Sequence, residues 1–431
     1  MTIRLYGIYD IKERLLALIF VMAPFLQHYV MPVIGINTEY ALVLFVGGAF
    51  AVLRALTMQK CEDRFIGKYI IIVMGIYVLL NHMVGDRYIY DTSVTKTVNI
   101  ISFFLIMIIC AVVFSDRKTR KYYFEYLENV AIIMALVVMF QVVIYYLFGN
   151  PITNDRSFLF PFKSMFSESV KYSLSKSEMV INGLFRPSAF FIEPAHYSQF
   201  CTLGLVCALL NGDKILNKRA IIISAGIILT TSGMGILSVF LMWAAFLYVN
   251  AEGLNRKRIT RMVLGTILFV GIVIALFSFS DSFRSAIARV FIGSNGYDSA
   301  ILGRTRNAVL IQQLSPIELT FGMGYKNIPT YGGELKIPYY MTGILELVYC
   351  QGVVGTSLFL LCYIHMMIKA YGSKQNLPLY VLMAYVPYLV GSSNIAMLTF
   401  IQYIPLLYVP KLIRCETRYE FLQGAYKGLG S

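Results

Sequence analysis

The chain has 431 residues, of which 58% are hydrophobic and only 14% are charged. A soluble domain has roughly a quarter charged residues and just under half apolar ones, so this composition excludes a water-soluble enzyme with a membrane tail. The apolar residues suffice for about twelve helices of ~20 residues each. The formal net charge of +14 would suggest nucleic acid in a soluble protein, but in a membrane protein basic residues first mark one side of the bilayer. Composition therefore predicts an all-α integral membrane protein that forms one polytopic domain over 1–431 and binds no nucleic acid.

Twelve apolar runs predict about twelve transmembrane helices. The predicted spans lie near 15–34, 40–57, 68–84, 97–115, 129–148, 188–210, 219–231, 234–250, 259–280, 341–368, 377–391 and 395–412. Basic residues cluster before the first span, in every second connection and after the last span, whereas the short connections on the other side hold only Arg87 and Lys96. The positive-inside rule then predicts cytoplasmic N- and C-termini. The first apolar stretch is long and lacks a small-residue cleavage site, so we expect no cleavable signal peptide.

Two predicted outer loops are long, at 149–187 and 281–338. Loops of this length are uncommon unless they have a function or are disordered. In the second loop, Ala308, Leu310, Ile311 and Leu314 can form one helical face, which predicts a short helix at the outer surface. Chemistry on this side cannot use cytoplasmic ATP or nucleotide-sugars, and the chain has no Walker loop, dinucleotide fingerprint, HExxH or paired CxxC motif.

The most informative stretch is LFRPSAFFIEPAHYSQF, residues 184–200, where the first long loop enters the sixth predicted span. Pro187 holds Arg186 extended and suits a helix start with Ser188, while Pro194 predicts a break inside the span. Glu193 and His196, three residues apart, are expected on one helix face within the membrane. The structural alternative is an Arg186 to Glu193 ion pair that fixes the kink. We favour a functional site, because ionisable residues within a membrane are costly unless they face a wet cavity or a partner.

A second cluster is GRTRNAVLIQQLSPIELTFGMGY, residues 303–325. Arg304 and Arg306 open the predicted surface helix, and guanidinium groups suit phosphate because their forked donors bind two oxygens. Gly322 and Gly324 bracket a turn whose backbone N–H groups could approach an anion. The alternative is a solvated charged face on a surface loop.

The third stretch begins at Tyr339 and reaches Lys369, which would make a straight helix of ~46 Å. This exceeds one crossing, so we expect a broken helix over 341–355, with the break near Gly352 and Gly355. Its outer half carries Glu346, which is either a site residue or a packing carboxylate. Residues 229–240 predict a tight turn with close helix packing. No spacing of His, Cys and carboxylates indicates a metal site, and no cofactor is expected.

Taken in order, these parts resemble the Wzy-type polymerases of O-antigen and capsule repeat units, within the wider O-antigen ligase-like superfamily. The shared parts are the Arg-Pro-Ser-x-Phe-Phe-x-Glu-Pro-x-His signature, the Thr-Ser-Gly hairpin, the Gly-Arg-Thr and Gly-x-Gly loop, and a Leu-Glu-Leu helix that continues to Gly-Val-Val-Gly. They cover roughly residues 130–370. The superfamily's ligases carry a His-Asn pair at the place that here reads Met341-Thr342, which argues against a lipid A core ligase.

The resemblance implies a metal-independent glycosyltransferase at the outer leaflet of the bacterial inner membrane. It would move a growing glycan from undecaprenyl diphosphate onto the next lipid-linked oligosaccharide, with a chain-length regulator and a flippase as further partners. The arginines that match Arg186 and Arg304 would hold the diphosphate, with Arg306 as a helper. For the proton acceptor, Glu193 is the first choice and His196 or Glu346 follow. The alternatives are ligase-type transfer to another acceptor and a transporter that flips lipid-linked oligosaccharide.

Overall fold

The computed structural model describes residues 11–26, 29, 41–56, 67–85, 94–149, 180–181, 184–191, 193–211, 217–250, 307–324, 327–328, 330–331, 337–338, 341–372, 384 and 387. These residues form a predominantly helical bundle. The α-helices are α1 Ile11–Met22, α2 Gly48–Leu56, α3 Gly67–Gly85, α4 Val94–Val113, α5 Arg117–Phe148, α6 Pro194–Asn211, α7 Lys218–Leu229, α8 Gly233–Asn250, α9 Val309–Gln312, α10 Pro316–Phe321 and α11 Gly343–Gly372. A 3-10 turn, Ala23–Leu26, follows α1, and a π-helix, Val43–Gly47, precedes α2.

Two short antiparallel ladders complete the described elements. Strand β1, Val180–Ile181, pairs with β2, Leu184–Phe185, and β3, Thr330–Tyr331, pairs with β4, Ile337–Pro338. Both ladders lie in the two long loops that the sequence predicts. The predicted spans near 259–280, 377–391 and 395–412 lie essentially outside the described residues, as do Arg304 and Arg306.

Helix α5 is the longest helix that the structure describes, with 32 residues. It begins twelve residues before the predicted span at 129–148, because the Asp116 side chain caps it by accepting a hydrogen bond from the Thr119 N–H at 2.8 Å. It ends at Gly149, whose φ of 71° is the left-handed conformation that glycine adopts readily at a helix C-terminus. The basic residues of the preceding connection therefore form the first turns of this helix.

Two described helical segments, Lys118–Phe148 and Gly343–Leu361, are long and apolar enough to cross a membrane. Along α5 the side chains at spacings of three and four residues are more than half exposed: Ile133, Leu136, Phe140, Val143 and Leu147. The opposite face of α5 packs into the bundle through small residues such as Ala131 and Ala135. An apolar stripe of this length on the outside of a bundle is typical of contact with lipid.

Contacts near the beginning and near the end of α5 define two distinct ends of the bundle. At one end, Arg219 at the start of α7 contacts Glu128, and the Arg14 guanidinium lies 4.7 Å from the centre of the Tyr122 ring. We call this the basic end, since Lys121 and Lys218 are also exposed there. Gln141, thirteen residues beyond Glu128 on α5, lies ~20 Å away and contacts the segment that follows Arg186. We call this the Arg186 end.

Small residues let the helices approach closely, as the sequence predicts for the hairpin of α7 and α8. A Cβ at Gly204 on α6 would overlap that of Ala131 on α5, and one at Gly235 would overlap Ser198. The turn between α7 and α8 is three residues long, Thr230 to Ser232, and Thr231 has a φ of 53°. Close approach of this kind is how membrane helices gain packing contacts.

Candidate functional site

Residues 186–191 and Glu193 are not helical, which corrects the predicted helix start at Pro187 and Ser188. It follows β2, and α6 begins at Pro194. Proline is favoured in the first helical turn, where its missing N–H costs no hydrogen bond, whereas inside a helix it would remove one. The predicted break within a span over 188–200 is therefore a helix start, preceded by a loop at the Arg186 end.

Ala189 is the centre of this loop, and its backbone is held by one side chain of α5. Ala189 has a φ of 50°, which is costly for a residue with a Cβ. Its N–H donates to Oε1 of Gln141 at 3.0 Å, and its carbonyl oxygen accepts from Nε2 of Gln141 at 3.3 Å. Both residues are buried. One carboxamide thus satisfies both backbone groups of a buried residue that belongs to no helix or strand.

The loop is closed further by Ser188. Its backbone carbonyl accepts from the Phe191 N–H at 2.9 Å, and its hydroxyl donates to the Phe191 carbonyl at 2.6 Å. The Phe191 ring packs against Phe25 and Phe200, with ring centres 4.9 and 5.5 Å away. The segment is therefore anchored in the apolar core beneath it.

Arg186 lies immediately before the buried part of this loop. Its neighbour Phe185 is buried and stacks on Tyr145 of α5, with ring centres 4.5 Å apart and an angle of 17°. Pro187 is buried, while Arg186 itself is partly exposed. Arg186 is therefore flanked along the chain by a buried residue on each side.

Glu193 lies outside α6, which corrects the prediction that it shares a helix face with His196 within the membrane. Its side chain is exposed, and its carbonyl oxygen accepts from the N–H groups of His196 and Tyr197 at 3.1 and 3.2 Å. Glu193 is therefore the residue that precedes the first helical turn, and His196 is a partly buried residue within that turn. The structure brings Arg186, Glu193 and His196 to the same end of the bundle.

Helix α11 is broken at Gly352, as the sequence predicts. Gly352 has φ 64° and ψ −176° within an otherwise helical run. The carbonyl oxygens of the preceding turn accept hydrogen bonds from outside the helix. The Tyr349 and Cys350 oxygens each accept at 2.9 Å from backbone N–H groups of the second long loop, and the Gln351 oxygen accepts at 2.7 Å from the Tyr77 hydroxyl. The break is therefore stabilised by tertiary contacts.

The Gly-x-Gly turn provides these backbone donors, which corrects its predicted role as an anion site. The N–H of Met323 donates to Tyr349, and that of Gly324 donates to Cys350. The N–H of Gly322 donates to Glu318 at 2.6 Å. These three N–H groups are engaged by protein carbonyls, so the turn docks onto the broken helix.

The predicted surface helix before this turn is present as the short helices α9 and α10. Leu310, Ile311 and Leu314, the apolar face named by the sequence, pack against a cluster of Met341, Tyr349 and Cys350. This apolar face is therefore covered by other residues of the protein. Ile317 and Phe321 of α10 are exposed instead.

Glu346 lies in the first turn of α11, six residues before the break, and is partly buried. Its N–H donates to the Thr342 carbonyl at 2.8 Å. Its helix packs against α3 and α10. Within the described ranges, no group of three His, Cys, Asp or Glu side chains could hold a metal ion.

Three residues were missed by the sequence reasoning: Gln141, which holds the Arg186 loop, and Tyr77 and Asn81, which contact the break in α11. Asn81 is buried and its Nδ2 donates to the Cys350 carbonyl at 3.0 Å. The available signal was a lone amide inside an apolar helix, which is costly unless it finds hydrogen-bond partners. Such a signal marks the residue but does not identify its partner.

Comparison with protein-family models, with curated proteins and with solved structures gives no match for this chain.

Proposed function

We propose that this chain is a membrane-embedded glycosyltransferase that polymerises lipid-linked oligosaccharide repeat units, as its resemblance to the Wzy-type polymerases implies. The donor is a glycan on undecaprenyl diphosphate, and the acceptor is a sugar hydroxyl of the next lipid-linked unit. In this proposal about twelve helices span the bacterial inner membrane, the basic end is cytoplasmic, and the Arg186 end faces outward.

One observation carries the proposal: a cation and a carboxylate border a single short loop whose middle is pinned to α5. Arg186 precedes the buried residues Pro187 to Ala189, and Glu193 follows them. The loop lies at the end of the bundle away from the clustered basic residues. A guanidinium and a carboxylate on one anchored loop supply the two kinds of group that transfer from a diphosphate donor requires.

The chemistry then needs no nucleotide. The acceptor hydroxyl oxygen attacks the anomeric carbon of the donor, the bond from that carbon to the diphosphate oxygen breaks, and the hydroxyl proton passes to a carboxylate. The leaving group is a stable diphosphate anion, so it requires cations where charge develops. Arg186 serves this role, with Arg304 and Arg306 as the further cations proposed from the sequence, and Glu193 accepts the proton.

The test supplies purified lipid-linked repeat unit to the protein in detergent. We expect a ladder of products from the wild type, a loss of roughly 10²–10³ in rate for Arg186→Ala, and a loss of ~10² or more for Glu193→Gln. Lys121→Ala, which removes an exposed cation at the basic end, is the control and retains the ladder.

Two other outcomes would overturn the proposal. Transfer of one unit to a different acceptor would indicate a ligase. Binding of the lipid without any transfer would favour a transporter. A normal ladder from Arg186→Ala or Glu193→Gln would remove that residue from the site.

A further inference from the structure

We propose that Gln141 is a positioning residue that holds Arg186 for the donor diphosphate. This inference rests on the proposed function and adds to it a residue on α5, 45 positions away from Arg186 in the chain. Gln141 is argued to act through the backbone of the Arg186 loop and not by contact with substrate.

The geometry points to Gln141 because its carboxamide is matched to one residue only. Its oxygen accepts from the Ala189 N–H at 3.0 Å and its nitrogen donates to the Ala189 carbonyl at 3.3 Å. The side chain is 4% exposed, on a helix that is otherwise apolar along this stretch. A buried amide would be unfavourable here without these two bonds, and an apolar residue of the same shape would satisfy packing alone.

The backbone between Ala189 and Arg186 is stiff, so the position of Ala189 determines that of Arg186. Pro187 has a fixed φ, and Ser188 is bonded twice to Phe191. Ala189 itself adopts a left-handed φ of 50° that its own preference disfavours. Gln141 therefore holds the loop in a conformation that it would otherwise leave, and misplacement of a catalytic group by about 1 Å is enough to lower a rate ~10²-fold.

The test compares Gln141→Met, which keeps the shape and removes both hydrogen bonds, with Arg186→Ala and wild type. Ser224→Ala is the matched control, because it removes a partly buried hydrogen bond of 2.9 Å that Trp243 of α8 donates to Ser224 of α7. Two quantities are measured on each folded protein in detergent: hydrogen exchange at the Ala189 amide, and the affinity for undecaprenyl diphosphate.

In Gln141→Met we expect loss of protection at the Ala189 amide and an affinity about tenfold weaker than wild type. Arg186→Ala weakens binding at least as much and keeps the amide protected. Ser224→Ala lowers the unfolding temperature but leaves both the affinity and the amide unchanged. If Gln141→Met does not fold, Gln141→Asn, which is shorter by one methylene, is expected to give the same pattern with a smaller loss.

The outcomes separate the inference from the function on which it rests. Wild-type affinity in Gln141→Met or Gln141→Asn, together with weak binding in Arg186→Ala, would overturn the positioning role and retain the site. Wild-type affinity in Arg186→Ala would overturn both, because Arg186 would then hold no diphosphate. Equal losses in Gln141→Met and Ser224→Ala would assign Gln141 to stability alone.

Discussion

Gly322 and Gly352 lie against each other, so that a Cβ on either glycine would overlap backbone atoms beside the other. A Cβ at Gly322 would meet the Cys350 carbonyl and the Gly352 nitrogen, and one at Gly352 would meet the Thr320 carbonyl and the Gly322 nitrogen. Both residues have a positive φ, 86° and 64°. This contact joins the second long loop to the break in α11.

We therefore expect Gly322→Ala and Gly352→Ala to destabilise the protein strongly. Each adds a backbone strain of about 1–3 kcal/mol, because Gly322 and Gly352 combine a positive φ with a ψ near 180°, a region essentially restricted to glycine. A steric overlap with main chain raises the total to about 3 kcal/mol or more. The control is Gly149→Ala, since Gly149 also has a positive φ but a Cβ there would meet nothing within 4 Å. It is expected to cost about 1 kcal/mol. Thermal unfolding in detergent measures the three variants, and similar losses in all three would contradict the close contact.

Tyr77 is expected to link the loop to the broken helix. Its hydroxyl lies 2.9 Å from the Phe321 carbonyl and 2.7 Å from the Gln351 carbonyl. Tyr77→Phe leaves the ring in place and removes these bonds, so we expect a loss of about 1–2 kcal/mol. Increased hydrogen exchange in 316–324 would accompany it. Tyr146→Phe, at an exposed ring near the end of α5, serves as the control and is expected to change neither the free energy of unfolding nor the exchange in 316–324. Unchanged exchange in Tyr77→Phe would disprove the link.

Arg219 is expected to stabilise the start of α7 through Glu128. The two side chains form an ion pair of 3.1 Å in which Glu128 is 4% exposed and Arg219 is 56% exposed. Because the carboxylate is buried but the guanidinium is half in solvent, we expect Arg219→Met to cost about 1–2 kcal/mol. The neighbouring exposed cation is the matched control, and Lys218→Met is expected to cost less than about 0.5 kcal/mol. Equal effects of the two substitutions on the unfolding midpoint would show that the pair contributes nothing.

The two ends of the bundle are expected to lie on opposite sides of the membrane. A membrane-impermeant maleimide should label Glu193→Cys in intact cells, whereas Lys121→Cys should react only after the membrane is opened, because both positions are exposed but at opposite ends. The parent protein gives the background from its own cysteines. Labelling of both variants from the same side would contradict the orientation predicted from the basic residues.

Local patterns in the sequence were enough to predict most of the described helices. Apolar runs indicated α3, α4, α7 and α8 close to their observed bounds, since length and hydropathy are properties of each segment alone. The break in α11 was also predictable, because a helix of that length exceeds one crossing and glycine is the residue that permits a positive φ. For the site, the sequence selected the segment from Arg186 to His196 as one unit, and Arg186, Glu193 and His196 lie at the same end of the bundle; their role as a site stays a prediction.

Local reasoning failed where a distant partner decides the conformation. A proline can break a helix or begin one, and at Pro194 the outcome depends on the anchored loop before it, which Gln141 holds from another helix. The turn between Gly322 and Gly324 resembles an anion site because its backbone donors are predictable from the sequence. The Met323 and Gly324 donors, however, bind the carbonyls of Tyr349 and Cys350, 26 residues later in the chain.

Sequence by itself thus determined that the chain is helical and strongly apolar, where its charges cluster, and which segments carry its ionisable groups. Only the tertiary structure decided which side chain or loop satisfies each backbone group that the helix ends and the break in α11 leave open. The physical reason is that hydropathy and helix length act over neighbouring residues, whereas a buried N–H or carbonyl accepts whichever partner packing brings within about 3 Å, regardless of its distance along the chain.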